Sequence, residues 1–342
     1  MTLVSRALIA TLVVPCFACA SSVAPAADFH GKTVRLIVGV AAGGGYDLYA
    51  RLMAPHLRRH LPGQPNVVVE NMTGAGGLVA TNFLAQQARR DGTTIGFLTA
   101  QAIVSQVIRD PAVRFDVRSF GMLGSPSPDE GVCVTLSGTG LDLTSWKQRT
   151  KVAPRLGATN YGSTAHVYGA LLAMALDLPV RFVIGYRGSA EIRAALDSGE
   201  LEGVCVGIGA YRVSFLPRER YPIVLRTEND NEPDLRGVPA AFEMVHDPAK
   251  RAALNLMKLL AGVSRVYAVP PGTPESIRAV IQRAFEETMA DPAFLKAANA
   301  AHLMIRPIQA RVVERSIADL IELAPDSRDL LVKLAGLSVR SE

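Results

Sequence analysis

The chain is short of the residues from which most catalytic chemistry is built. Of its 342 residues only six are histidine and four cysteine. No His/Asp/Glu cluster falls at metal-ligand spacing, and the cysteine spacing excludes a zinc site built on cysteine pairs, so no metal is expected. No Gly-x-Ser-x-Gly elbow occurs, and no catalytic residue stands out. The glycine-rich stretches lack both the lysine of a phosphate-binding Walker loop and the spacing of a dinucleotide fingerprint, so no cofactor is implied. The positive excess is mild, +5 over the whole chain, and scattered. The doubled arginines, Arg58-Arg59 and Arg89-Arg90, fall on helical patterns and read as solvated faces, which excludes nucleic acid as the natural partner. Beyond the N-terminus no apolar run reaches membrane-spanning length, because Lys258 and Arg265 interrupt the longest. There is no repeat at solenoid period and no low-complexity tract.

What is present begins with an export pattern. Arg6 supplies a positive start, residues 7–20 are apolar but too short to span a bilayer comfortably, and Ala24-Pro25-Ala26 is a small-residue cleavage site. Residues 1–26 are expected to be removed, with a soluble mature chain starting near Ala27 in the periplasm. Cys19 follows Phe17-Ala18, faintly like a lipoprotein box, but Cys16 stands where leucine belongs, and no lipid is expected there. Of the 342 residues, 316 remain, about right for two lobes. Arg6 is the only charge lost, so +5 becomes +4. Two cysteines also remain, Cys133 and Cys205, each within a strand-like apolar run. They could pair in an oxidising compartment or stay as inert buried thiols; the sequence leaves both open.

The organising stretch is 34–47. Val34 to Val38 is apolar on both faces, as a doubly covered strand requires, and runs into Gly43-Gly44-Gly45, then Tyr46 and Asp47 opening a helix over 47–61. Bare N–H groups at such a helix start stabilise anions. Pro55 lies inside that helix, where a kink or restart is expected. The pattern repeats: strand 67–71, loop Thr73-Gly74-Ala75-Gly76, helix; then strand 94–98 and Thr99-Ala100-Gln101 opening another helix. Three strand–loop–helix units predict a parallel sheet with helices on its faces, and ligands bind beyond the carboxyl ends of such strands. Ser125-Pro126-Ser127-Pro128 reads as a linker or crossing strand. A second α/β series follows, with strands near 132–136, 155–158, 181–184 and 203–207. Its loops carry Gly162, Ser163, Thr164 and Ala165, then Tyr186 and Ser189, with Ser189 placed to cap a helix. Near 266–269 the chain returns to the first lobe, and Thr273-Pro274 reads as a cap with proline at the first helical position. Helices near 310–323 and 327–334 close the chain.

Each candidate has a plain alternative. The triple glycine alone is a tight turn as readily as a ligand loop. Asp47 suits a helix N-terminal charge better than a ligand contact, and Tyr46 lines a cleft or packs. Ser163 and His166, three apart, would suit an exported serine hydrolase only if a carboxylate oriented the imidazole, and none is evident. The same loop suits anion capture at a helix start.

These residues resemble the tripartite tricarboxylate transporter receptors, also called Bug-type periplasmic solute-binding proteins. The opening motif over 36–52, Glu70-Asn71 with Gly74-Ala75-Gly76-Gly77, then Asp91-Gly92, Tyr186-Arg187-Gly188-Ser189, Asp234-Leu235-Arg236-Gly237-Val238-Pro239 and Pro270-Pro271-Gly272-Thr273-Pro274, match that family's landmarks in order over about 31–300. Ala42 and Met72-Thr73 depart from its usual residues, and 126–146 and 211–258 match poorly. The resemblance implies an α/β, two-lobed periplasmic binding fold (type II-like) with mostly parallel sheets flanked by helices. It divides the chain into a signal peptide (1–26), a first part of lobe one (27–128), lobe two (129–260) and a return to lobe one with C-terminal helices (261–342). It also implies a monomer that is no enzyme and grips a small organic acid between its lobes for a membrane permease, or presents it to a sensory membrane kinase. Lobe one would offer Gly43, Gly44, Gly45, Tyr46 and Asp47, with Thr73 to Gly76 and Thr99 to Gln101. Lobe two would offer Gly162, Ser163, Thr164, Ala165 and Ser189, with Tyr186 as a wall.

Overall fold

Apolar strands that need cover on both faces set the architecture, a computed structural model that describes residues 27–228 and 235–336. The leader over 1–26, with Cys16 and Cys19, and Asp234 of the later motif lie outside the described residues.

In the first sheet, strand β1 (Thr33–Val38) is followed by helix α1 (Gly45–His60), β2 (Asn66–Asn71), α2 (Leu78–Gln86), β3 (Thr94–Leu98), α3 (Ala100–Val107) and β4 (Gly121–Ser125). The chain then enters a second sheet through β5 (Gly131–Thr135), α4 (Leu143–Gln148), β6 (Arg155–Ala158), α5 (Thr164–Leu176), β7 (Arg181–Ile184), α6 (Ser189–Asp197), β8 (Gly203–Gly207), α7 (Ile208–Ser214) and β9 (Ile223–Arg226). Short α8 (Ala241–Met244) and α9 (Pro248–Gly262) lead back to the first sheet at β10 (Val266–Val269). Helices α10 (Glu275–Ala290) and α11 (Pro292–Ala300), strand β11 (Ile308–Gln309), α12 (Ala310–Ile321) and α13 (Pro325–Leu334) complete the described chain.

The strand orders are β11-β4-β10-β3-β1-β2 and β7-β6-β8-β5-β9. Within each sheet β1 pairs parallel with β2 and β3, and β6 pairs parallel with β7 and β8, as the strand–loop–helix units require. The returning strands differ. β10 slots antiparallel between β3 and β4, and β5 runs antiparallel to both β8 and β9, so both sheets are mixed. Cys133 and Cys205 face each other across β5 and β8 with Cα atoms 3.9 Å apart, and they are disulfide-bonded.

Three local expectations give way to the structure. Helix α1 runs unbroken through Pro55, whose ring lies on the exposed face. Ser189 does not cap α6; Gly188 holds the cap position without a side-chain bond. Thr273 does not cap α10 either, since its hydroxyl donates to the Pro270 carbonyl and Pro274 takes the cap position. A cap followed by proline occurs at α11 instead, where the Asp291 carboxylate accepts from the Ala293 N–H.

One apolar core covers the outer face of the first sheet under α1, α10 and α11, and another lies between the second sheet and α6 and α7. The largest is continuous across both lobes. It joins Ile103 and Val107 of α3 to Leu171 of α5, Leu254 and Leu260 of α9, Ile317 of α12 and Leu331 of α13. Both crossings between the sheets run together beneath it: the Ser125 hydroxyl lies 2.9 Å from the Ser264 carbonyl, and Ser125 and Ser127 are fully buried. The stretch 125–128 is therefore a packed crossing, not a loose linker.

Candidate functional site

The site is built from turns that follow β1, β2, β3 and β6, and each is tied down by a specific side chain. At the first, Gly43 adopts φ +83, and its N–H donates to the Asp47 Oδ2 at 2.8 Å. The same oxygen accepts from Arg51 Nε, while Oδ1 accepts from Asn71 Nδ2, both at 2.8 Å. Asn71 also donates to the Val40 carbonyl at 3.0 Å. Burial raises the Asp47 pKa, but the bonds from Arg51, Gly43 and Asn71 outweigh it and hold the carboxyl below its ordinary value. Asp47 is 2 % exposed and both its oxygens are spent on the loop. It shapes the Gly43-Gly44-Gly45 turn and does not offer itself to a ligand. Gly45 faces the other lobe, where a Cβ at its position would lie 4.0 Å from the backbone of Ala210 in α7.

The second and third turns are locked to each other. The Thr99 hydroxyl donates to the Gly76 carbonyl at 2.6 Å and accepts the Ala102 N–H at the start of α3. Gly76 holds φ +63, a conformation that strains other residues, and a Cβ there would stand 2.1 Å from the Gln101 side chain, which would have to move. Thr73, Gly74 and Ala75 are exposed. Gln101 reaches toward the opposite lobe, with Nε2 3.9 Å from the Cβ position of Gly162.

On that lobe Ser163 caps α5, its hydroxyl accepting the His166 backbone N–H at 3.4 Å. The His166 ring accepts the Gly162 N–H on Nδ1 and stands edge-on to Tyr161 and Phe182. Burial lowers its pKa against the opposing pull of a hydrogen bond to the Leu334 backbone. The serine thus meets the histidine backbone and not its ring, so Ser163 and His166 form no nucleophile–base pair. Gln101, Ala100, Gly162 and Thr164 come together at one cavity of about 30 Å³, room for a water or two. Ala165 lies just behind them on α5. Tyr186 and Ser189 share the rim, since β7 runs beside β6, but they do not line this cavity. The Tyr186 hydroxyl is committed to Glu200 at 2.6 Å, which, after burial, pushes its pKa to about 12.

A charged pair between the lobes went unforeseen. Arg265, at φ +58 and 1 % exposed, donates to Asp129 at 2.7 Å where the two crossings meet. Its guanidinium lies over the rings of Tyr49 at 4.8 Å and Tyr46 at 5.6 Å. Tyr46 therefore packs, between Phe97 and Arg265. Close approach from lobe two completes the pocket: a Cβ on Gly209 would meet Arg265 at 2.4 Å, and one on Gly207 would meet Asp129 at 2.0 Å. The signal for this pair was an arginine breaking the apolar run ahead of β10.

Two α/β lobes joined by paired crossings, with glycine turns facing each other across the junction, define the two-lobed periplasmic binding fold. Comparison with known proteins agrees. The chain is 28 % identical over 287 residues to a UPF0065 protein of Bordetella pertussis, covering 81 % of this chain and 82 % of that one. It superposes on the periplasmic binding protein BugD with a TM-score of 0.68 at 19 % identity, covering 89 % and 98 % of the two chains. Against MatC from Rhodopseudomonas palustris, which holds bound malate, the TM-score is 0.67 at 21 % identity, with 88 % and 98 % covered. No family model matches. The relatives in sequence and the neighbours in structure are thus the Bug- and TctC-type periplasmic binding proteins that the motifs resemble. These neighbours are solute-binding proteins.

Proposed function

We propose that this chain is a periplasmic solute-binding receptor that holds a small organic carboxylate between its lobes for a tripartite tricarboxylate-type transporter. The observation that carries the reading is the meeting of donor-rich turns from opposite lobes, Gln101 after β3 against Gly162 and Thr164 before α5. Backbone N–H groups at helix starts and an amide side chain suit a carboxylate without a free cation. Thr73 to Gly76 on one side, and Ser163 and Ala165 on the other, complete the jaws, with Gly43 to Gly45 held open beside them. Ligand then selects the state in which the lobes are together. In this reading 27–128 and 261–342 make one lobe and 129–260 the other, residues 1–26 direct export, and a membrane permease receives the ligand from a monomer. Among the described residues no helix is long and apolar enough to cross a membrane.

Thermal unfolding against C4–C6 di- and tricarboxylates and aromatic acids tests the reading. A true ligand at a hundredfold its Kd adds about 2.7 kcal/mol. No shift with any organic acid would refute it.

A further inference from the structure

Helix α13 ends on the loop that the ligand needs. The Leu334 backbone lies close enough to the His166 ring to favour its charged form. A Cβ on Gly162 would lie 3.4 Å from the Ala335 Cα, and one on Gly336 would lie 3.1 Å from the Tyr161 Cβ. Leu331 and Ala335 wall the cavity shared by Gln101, Gly162 and Thr164. Thr164 and Ala165 open α5, so their N–H groups have no partner within the helix. The last turn of α13, the negative end of its dipole, stands at this positive end of α5, where a carboxylate would seek the same donors.

The space left there, about 30 Å³, is small beside a dicarboxylate, so room must come from parting the lobes or from one of the walls. Helix α5 buries eleven of its thirteen residues and α3 four of eight, whereas α13 buries only Leu331 and Leu334 out of ten. Of these three helices α13 is held by the fewest buried side chains and is the least costly to detach. We propose that α13 is a resident stopper of the cleft, its last turn occupying the ligand's place, and that ligand and α13 exclude one another. The proposal rests on reading the cleft as a carboxylate site.

The test compares the chain with its Leu331→Ala variant, and with Leu331→Val as the milder cut, titrated with malate, adipate and citrate. Weakening the seat raises the population of competent protein, so whichever acid binds should bind the variants more tightly, roughly tenfold for alanine. Saturating acid should also speed hydrogen exchange over 325–336 in the unaltered chain, the reverse of ordinary ligand protection. Unchanged or weaker binding in the variants, or slower exchange over 325–336, overturns the stopper and makes α13 a fixed wall. If none of these three acids binds any chain, the wider panel of organic acids decides the receptor reading on its own. The stopper is then decided without ligand: Leu331→Ala must speed exchange at the Thr164 and Ala165 amides relative to those of β8, and equal rates overturn it.

Discussion

Replacing Asp129 by asparagine should be among the most damaging single-atom changes available in this protein. Arg265 is 1 % exposed, and its one anionic partner shown is the Asp129 carboxylate, 2.7 Å away. Burial works against the guanidinium's charge, and the attraction of Asp129 overcomes it, holding the Arg265 pKa above its ordinary value. The Tyr46 and Tyr49 faces persist in Asp129→Asn, and so does the weak contact to the Pro128 carbonyl at 3.4 Å. What is lost is the countercharge. Stranding one member of a buried pair costs about 3–5 kcal/mol, and since the amide oxygen can still accept from Arg265, the lower end, about 3 kcal/mol, applies. At about 2–4 °C per kcal/mol for a large domain, Tm should fall by roughly 6–12 °C. The contrast is Asp116→Asn at the Asp116–Arg118 pair, whose side chains are 44 % and 60 % exposed; it should cost under about 1 kcal/mol. Differential scanning calorimetry of both variants, with Asp129→Asn/Arg265→Met to remove the stranded charge, is the assay. The double variant should recover most of the loss. A cost below 1 kcal/mol for Asp129→Asn, or a double variant as unstable as the single, would refute the argument.

Removing the cross-strand disulfide by Cys133→Ala/Cys205→Ala opens a link spanning 72 residues, and the chain-entropy model puts the loss at about 4.4 kcal/mol, read in urea unfolding with and without reductant. A loss under about 1 kcal/mol would show that the second sheet does not depend on the link. Acid should destabilise the protein in two phases. His56 and His166 have folded pKa values below 6.5, chiefly through burial, so stability falls as pH drops below the unfolded value and the neutral rings must be charged. Asp47 and Asp116 are held low, Asp116 at about 2 mainly by Arg118, so their contribution is present above about pH 4 and is lost as pH falls through the folded values. Thermal melts across pH 2–8 should show both phases; His166→Gln should shrink the upper one, and an unchanged upper phase counts against the assignment.

The local pattern was legible because the strands here are short apolar runs with glycine or polar turns at their ends. Strands β3, β6, β7 and β8 fall where hydrophobic runs place them. What local pattern does not carry is pairing across distance. Val266 to Val269 reads as a strand, but nothing in it says that it will insert antiparallel between β3 and β4. Caps were the weakest point: Ser189 and Thr273 have the right chemistry beside a helix start, yet the backbone enters each helix one residue away from them. Propensity for a cap does not choose between adjacent positions when tertiary packing fixes the entry angle.

Asp47 and Arg265 show why the site was harder to read than the fold. A carboxylate beside three glycines has the chemistry of either a ligand contact or a fastener, and only its neighbours decide. Asn71, 24 residues on, takes one Asp47 oxygen, while Gly43 and Arg51 take the other. With its acceptors filled, the carboxylate adds shape to the turn. Arg265 makes the complementary case. Read along the chain it was an interruption in an apolar run; folded, it is the cation at the crossing, already neutralised by Asp129. Asp47 and Arg265 are therefore both paired within the protein. If the cleft takes an acid as proposed, neither is a free charge for it, and amides, hydroxyls and helix ends would discriminate by geometry where a free arginine would take any anion.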